Sequence, residues 1–491
     1  MAKAKSKRSR AKAKVAPWTL WTLALISALC LLRLGVNALE LVPVHFDEAQ
    51  YWAYGQELAW GYFSKPPLVG AVIRVTTDLF GDTLFALRLA SPLAHALIAW
   101  LIFLCGRMVY GAPVGFWAAL AYSLAPGVGV SAMIVSTDPI MMVFWALALY
   151  ATLKAERDRA PFWWAVMGIA IGLGTLAKYT MLAFPAGLVL YLLLSAKQTP
   201  WRGLAIGLGA ALVVMAPNIL WNWQNSFATV AHVAEDAAPG GQLFNPDKGA
   251  EFLGAQFGVI GPVVFLGLIA ALIWREKKPP QGAALLIWQS VTLLLPIILL
   301  AFATRAQPNW AAPAYIAGTI LAARWLLTRD WRQALIWGQA ALGGVLVTVV
   351  WGLALLHAQG PDWPRPTDPF KKMRLGEPFC DRALAAMNEE GAEVLLSNDR
   401  RRLSECMFLG GLGWDDVATW NPDLTPKNHH ELVSTLYQGD ERQMLLATMG
   451  PGDAIAARFD QAERIDNGQF ETHSDRQGSF DLWRVSGFRG Y

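Results

Sequence analysis

The stretch PVHFDEAQYWAYGQELAWGYFSKPPL, residues 43–68, decides how the chain is read. It carries an acidic pair, Asp47-Glu48, and a lysine ahead of two prolines, Lys65-Pro66-Pro67, all set among aromatics. Apolar runs flank it, 17–38 before and 83–108 after. A membrane helix needs about 20 apolar residues. Each run is long enough to cross a bilayer, so the stretch reads as a polar loop at a membrane face. Its Trp and Tyr residues suit the interface between lipid and water.

The rest of the chain agrees. Of 491 residues, 55% are hydrophobic and 16% charged, too apolar for a soluble enzyme of this length. Eleven spans are expected: 17–38, 83–108, 113–133, 138–155, 162–177, 179–196, 202–221, 251–274, 282–304, 308–328 and 333–357. A cleaved signal peptide ending at Ala38 is the competing reading of the start. The apolar run is long for such a peptide and Arg33 interrupts it, which favours an uncleaved helix. The tail MAKAKSKRSRAKAK holds seven Lys/Arg and no acid. Beside an apolar span it reads as a cytoplasmic flank near anionic lipids, rather than a nucleic-acid arm. Connections on that same side carry KAERDR, KQTPWR, REKK and TRDWR; those on the other side are poor in Lys/Arg. This charge alternation places the N-terminus in the cytoplasm and, with an odd number of spans, the C-terminal region outside it.

The expected organisation is a basic tail at 1–16, a membrane domain at 17–357 with its first outer loop at 39–82, and a C-terminal domain at 358–491. The last follows the Pro-rich linker AQGPDWPRPTDP. Its helix-like FCDRALAAMNEEG and RRLSECMFLGG alternate with strand-like AEVLLSND, DVATW, QMLLATM and FDLWRV, the pattern of a small α/β unit. Cys380 and Cys406 fall there and either pair in an oxidising compartment or stay buried thiols. Cys30 and Cys105 fall in spans. Glycine patterns GIAIGLG and GLAIGLG lie inside apolar helices and lack a P-loop's Lys-Ser/Thr, so they read as helix packing.

The outer loops hold the chemistry. Asp47 reads either as the cap of a following helix or as a catalytic carboxylate, and Glu48 suits that helix's positive end. Lys65, at a proline-led helix start, fits an anion site or a headgroup contact. Asp138, in STDPIM, is an acid at membrane depth or a cap followed by Pro139. Lys178 in LAKYT, and Arg305 and Asn309 in TRAQPNWAAPAY, map to the same face. Carboxylates that accept protons beside cations that hold phosphate are what a lipid-phosphate substrate requires.

FDEAQYWAYGQELAWGYFSKPPL, STDPIMMVFWALALY, GLGTLAKYT and QPNWAAPAY resemble the polytopic GT-C glycosyltransferases that use polyprenyl-phosphate sugars. Protein mannosyltransferases, aminoarabinose transferases and rhizobial galacturonosyltransferases of lipid A and core belong there, and the last group is the most similar. NHHEL, 428–432, is similar to a run in their periplasmic domains. The resemblance implies an α-helical polytopic enzyme with a small C-terminal α/β domain, in the bacterial inner membrane. It would move a sugar, with inversion, from a polyprenyl-phosphate donor to a lipid or glycan acceptor such as lipopolysaccharide. It makes Asp47 the base, with Glu48 completing the acidic motif and Asp138 a second acidic position. It brings Lys65 to the donor phosphate, and Lys178 and Arg305 to donor phosphate or an acidic sugar. Aminoarabinose transferases carry a metal-linked Glu where Ser64 stands here. The sequence therefore assigns no cofactor, and a divalent metal finds little support; His232 and the 429–430 pair read as solvated loop histidines. A transporter or flippase of lipid-linked sugars is the rival reading. It calls for an internal repeat and midplane charges, and neither is evident.

Overall fold

The computed structural model of the protein describes residues 17–195, 198–231, 244–274, 276, 278–358 and 363–491. The basic tail and His232 lie outside the described residues. Most of the chain is helical. The helices open with α1 (Pro17–Asn37), α2 (Phe46–Gln56), α3 (Leu68–Phe80), α4 (Leu84–Arg88), α5 (Ala90–Tyr110), α6 (Ala112–Ser123) and α7 (Pro126–Ser131). They continue with α8 (Thr137–Asp158), α9 (Pro161–Ala177), α10 (Ala183–Leu194) and α11 (Trp201–Gln224).

Six helices among the described residues are long and apolar enough to cross a membrane: α1, Leu84–Tyr110, α8, α11, Ala283–Ala303 and Asp330–Ala358. Other expected spans are broken or short. The run 113–133 forms α6 and α7. The run 251–274 forms Pro246–Val259 and Pro262–Ile273, bent by 111°. The bend has a local cause. Gly261 has φ +91, a conformation L side chains rarely adopt, and an added Cβ there would lie 1.8 Å from Gln339 Nε2. Pro262 then starts the second helix without needing an N–H partner. Leu193, Val213 and Ile273 are 75%, 75% and 76% exposed. Such outward apolar side chains are unfavourable in water and at home in lipid.

The glycine-rich runs do pack helices: a Cβ on Gly168 of α9 would meet Gly207 O of α11 at 2.0 Å. Small residues there let the two backbones approach closely.

The C-terminal region builds one five-stranded sheet, ordered β2-β1-β3-β5-β4. β1 (Val394–Ser397) runs parallel to β2 (Val417–Thr419) and β3 (Met444–Thr448). β5 (Arg476–Phe488) pairs antiparallel with β3 and with β4 (Phe459–His473). The sequence reading missed β4, whose middle is largely exposed and polar, so it shows little of the buried alternation that marks a strand. Helices Gly376–Glu390 and Arg400–Gly410 are joined by a disulfide between Cys380 and Cys406, with Cα atoms 5.0 Å apart. The second of these helices docks on α2: Phe408 meets Trp52 edge-on at 5.5 Å between ring centres. Nearby, Trp414 Nε1 donates to Ala53 O at 3.0 Å.

Candidate active site

A cavity of about 1140 Å³ opens where the first loop meets the helix breaks before α8, after α9 and near residue 305. Asp47, Lys65, Asp138, Lys178, Arg305 and Asn309 all line it. One wall is apolar, with Met142, Leu293, Ile297 and Leu300. Glu48 is absent from its lining.

Local structure explains the difference between the adjacent acids. Sequence alone allowed Asp47 to cap α2, but the cap is His45, whose Nδ1 accepts from the Asp47 N–H at 3.2 Å. Glu48 closes a capping box by accepting from the His45 N–H at 3.1 Å. It also accepts from Arg88 Nε at 3.0 Å, Arg88 Nη2 at 2.8 Å and the Val135 N–H at 2.8 Å. Arg88 further donates to the carbonyls of Val42 and Pro43, each at 2.9 Å. Both side chains are buried. Glu48 is thus a fully engaged staple between the first loop, α4 and the entry to α8. The carboxylate of Asp47 remains 46% exposed at the cavity, 3.7 Å from His45 Nδ1. Burial holds the His45 imidazolium below its ordinary range, against the pull of Asp47. A neutral ring fits its role as acceptor.

Asp138 is the second residue of α8 and forms no cap; Ser136 precedes the helix, and Pro139 follows as its third residue. Its Oδ1 accepts from Lys178 Nζ at 2.7 Å and its Oδ2 from Asn309 Nδ2 at 2.9 Å. Lys178 reaches it because α9 ends at Ala177 and Lys178 is extended, at φ −160. Asn309 comes from the short 3-10 turn Pro308–Ala311. Three residues predicted far apart in sequence are therefore one hydrogen-bonded cluster. Arg305 is exposed beside it.

Ser64 does not cap α3, whose N-cap is Pro67. It lines the cavity, with its hydroxyl 3.3 Å from Tyr54 Oη. His429 and His430 are buried, contrary to the solvated reading: His429 packs against Tyr54 and Tyr62 of the first loop, and His430 against Ser404 and Trp414 of its own domain. Among the described residues no group of three or more His, Cys, Asp or Glu is placed to hold a metal ion. Sequence reasoning missed Arg88, Tyr54 and Arg400. Arg88 carried a usable signal, a charge at the entrance of an apolar run, where a buried partner is expected.

Residues 64–221 match the family model described as dolichyl-phosphate-mannose-protein mannosyltransferase. The lipid A galacturonosyltransferase of Rhizobium johnstonii is 32% identical over 472 residues, spanning 93% of this chain and 97% of its own. The chain belongs to the GT-C family of polytopic membrane glycosyltransferases. A lipopolysaccharide core galacturonosyltransferase of the same organism is 28% identical over 470 residues, covering 90% of this glycosyltransferase and 93% of that protein. The crystal structure of ArnT from Cupriavidus metallidurans bound to undecaprenyl phosphate shares the fold, with TM-score 0.67 at 17% identity. That match covers 97% of this chain and 100% of the other. This glycosyltransferase is an integral membrane protein, and its relatives are transferases rather than transporters.

Proposed function

We propose that this enzyme moves a uronic acid from a polyprenyl-phosphate carrier to a hydroxyl of lipid A or the lipopolysaccharide core, on the outer face of the inner membrane. The observation that carries the reading is the cavity. It joins one open carboxylate, Asp47, to Lys65 and Arg305 beside an apolar wall fit for a prenyl chain. Resemblance to the rhizobial transferases over nearly the whole chain supports the sugar and the acceptor. Ser64, in place of the aminoarabinose enzymes' Glu, argues against an aminoarabinose donor. The charge alternation and the Cys380–Cys406 disulfide support an outward C-terminal domain.

The step is a direct displacement. The acceptor O–H gives its proton to Asp47 while the oxygen forms a bond to the anomeric carbon. The bond from that carbon to the phosphate oxygen breaks, and its electron pair leaves with the polyprenyl phosphate. Configuration inverts. Lys65 and Arg305 stabilise the charge gathering on the phosphate. One base is enough, because a phosphate leaves without the protonation a glycosidic oxygen needs. Asp138 is held by Lys178 and Asn309, which favours a fixed, orienting role for it and leaves proton transfer to Asp47. Glu48 acts by fixing the start of α2.

The test is a deletion strain whose lipid A and core are compared with the parent by mass spectrometry. The expected result is a loss of mass matching one hexuronic acid, restored by the wild-type gene. An unchanged lipid A and core would sink the acceptor assignment; loss of a different mass would sink the sugar.

A further inference from the structure

We infer that Arg400 and His429 of the C-terminal domain are positioning residues for the turn that presents Lys65 to the cavity. The inference rests on the proposed contact between Lys65 and the donor phosphate. Its basis is a directed hydrogen-bond chain that crosses from one domain to the other. Arg400 Nη1 donates to Gln50 Oε1 at 2.9 Å. Gln50 Nε2 donates to Tyr54 Oη. Tyr54 Oη lies 3.3 Å from Ser64 Oγ, the neighbour of Lys65. Gln50, Tyr54 and Ser64 are all buried. With Arg400 fixing the carbonyl end of Gln50, its amide faces Tyr54, and the phenol hydrogen is left to point at Ser64. No other orientation of the Gln50 amide satisfies both ends.

His429 holds the same turn from the other side. Its ring stands edge-on to Tyr54 and Tyr62, with centres 5.0 and 5.1 Å away. Its Nδ1 accepts from the Phe63 N–H at 3.5 Å. Tyr54 and Tyr62 stack at 4.2 Å, and the Tyr62 N–H closes the turn on Lys65 O at 3.0 Å. The membrane domain also ties this segment, from Thr229 Oγ1 to Tyr62 O at 2.7 Å and from Asn218 Nδ2 to Trp60 O at 2.6 Å. The Lys65 turn is therefore clamped between α2 and two residues more than 300 positions later. A buried chain of this kind is sensitive to loss of one member, because each remaining group loses its partner.

The experiment uses the full chain in lipid nanodiscs and titrates it with undecaprenyl phosphate, while hydrogen exchange is followed at residues 62–65. Arg400→Ala should speed exchange across the turn and weaken binding about tenfold, leaving exchange in β3 unchanged. Arg400→Lys, which keeps a donor, should restore most of both. Lys65→Ala should weaken binding, and adding Arg400→Ala to it should weaken binding no further. His429→Ala should loosen the turn, and His429→Gln, which keeps an acceptor, should not. Unchanged exchange at 62–65 in Arg400→Ala and His429→Ala overturns the positioning role. So does an Arg400→Ala penalty that persists in full beside Lys65→Ala. If Lys65→Ala alone leaves binding intact while Arg400→Ala still loosens the turn, the phosphate contact fails and the positioning stands.

Discussion

The carboxylate of Asp47 faces the cavity while that of Glu48, one residue on, is enclosed by Arg88, Val135 and the His45 backbone. Opposite outcomes should follow from removing the Asp47 charge and from removing the partner of Glu48. Asp47→Asn should lower kcat by about 10²–10⁴-fold and leave the thermal midpoint nearly unchanged, since among the described residues its carboxylate makes only the long approach to His45. Transfer assays on membranes given a labelled polyprenyl-phosphate sugar check this; wild-type turnover in Asp47→Asn would remove it from the chemistry. Arg88→Ala instead strands a buried carboxylate and should destabilise by about 3–5 kcal/mol, read as loss of folded protein in detergent. On spacing, Asp47 read as a cap or a catalytic carboxylate, and Glu48 as suited to the positive end of the helix. What separated them was which carboxylate met Arg88, and that contact joins residues 40 positions apart.

At the level of elements, breaks in helices do the placing. Lys178 reaches Asp138 because α9 stops at Ala177, and Asn309 reaches it from a 3-10 turn. The sequence marked both positions as polar interruptions of apolar runs, so the candidate residues were legible. Their pairing was not, since it depends on how α8 and α9 pack. Capping was one of two readings at Asp47 and at Asp138; the His45 ring caps α2 instead, and Ser136 holds the position before α8 without a side-chain bond. Several side chains at a helix start compete for few orphan N–H groups, and local sequence does not rank them. In the C-terminal domain the Cys380–Cys406 bond ties Gly376–Glu390 to the helix that docks on α2. The Cys380→Ser/Cys406→Ser double variant should lose about 2–4 kcal/mol of stability. Denaturation by urea, monitored through the docked tryptophans, measures it; an unshifted midpoint would show that the crosslink contributes nothing.

For the whole molecule, His429 at the domain contact and His430 inside the C-terminal domain should make stability fall in acid. Burial pushes His429 down to about 4 and His430 down to about 3. In the unfolded chain both titrate near 6.5, so below that pH the unfolded state binds more protons and stability rises with pH. Their contribution is complete above about 6.5 and is lost as pH falls toward the folded values. The thermal midpoint of the solubilised enzyme should drop between pH 6.5 and 4, and His429→Phe/His430→Phe should flatten that slope. An equal slope in the double variant would place the acid sensitivity elsewhere. By itself the sequence determined the membrane class, the list of candidate residues, the α/β character of the C-terminal domain and the family resemblance. These are read from runs, charge asymmetry and short motifs, all local in the chain. Tertiary structure alone decided that Glu48 is a staple, that Asp138, Lys178 and Asn309 are one cluster, and that Arg400 and His429 reach the first loop. Those relations join distant segments, and they are fixed by packing, whose contacts leave no periodic trace in the letters.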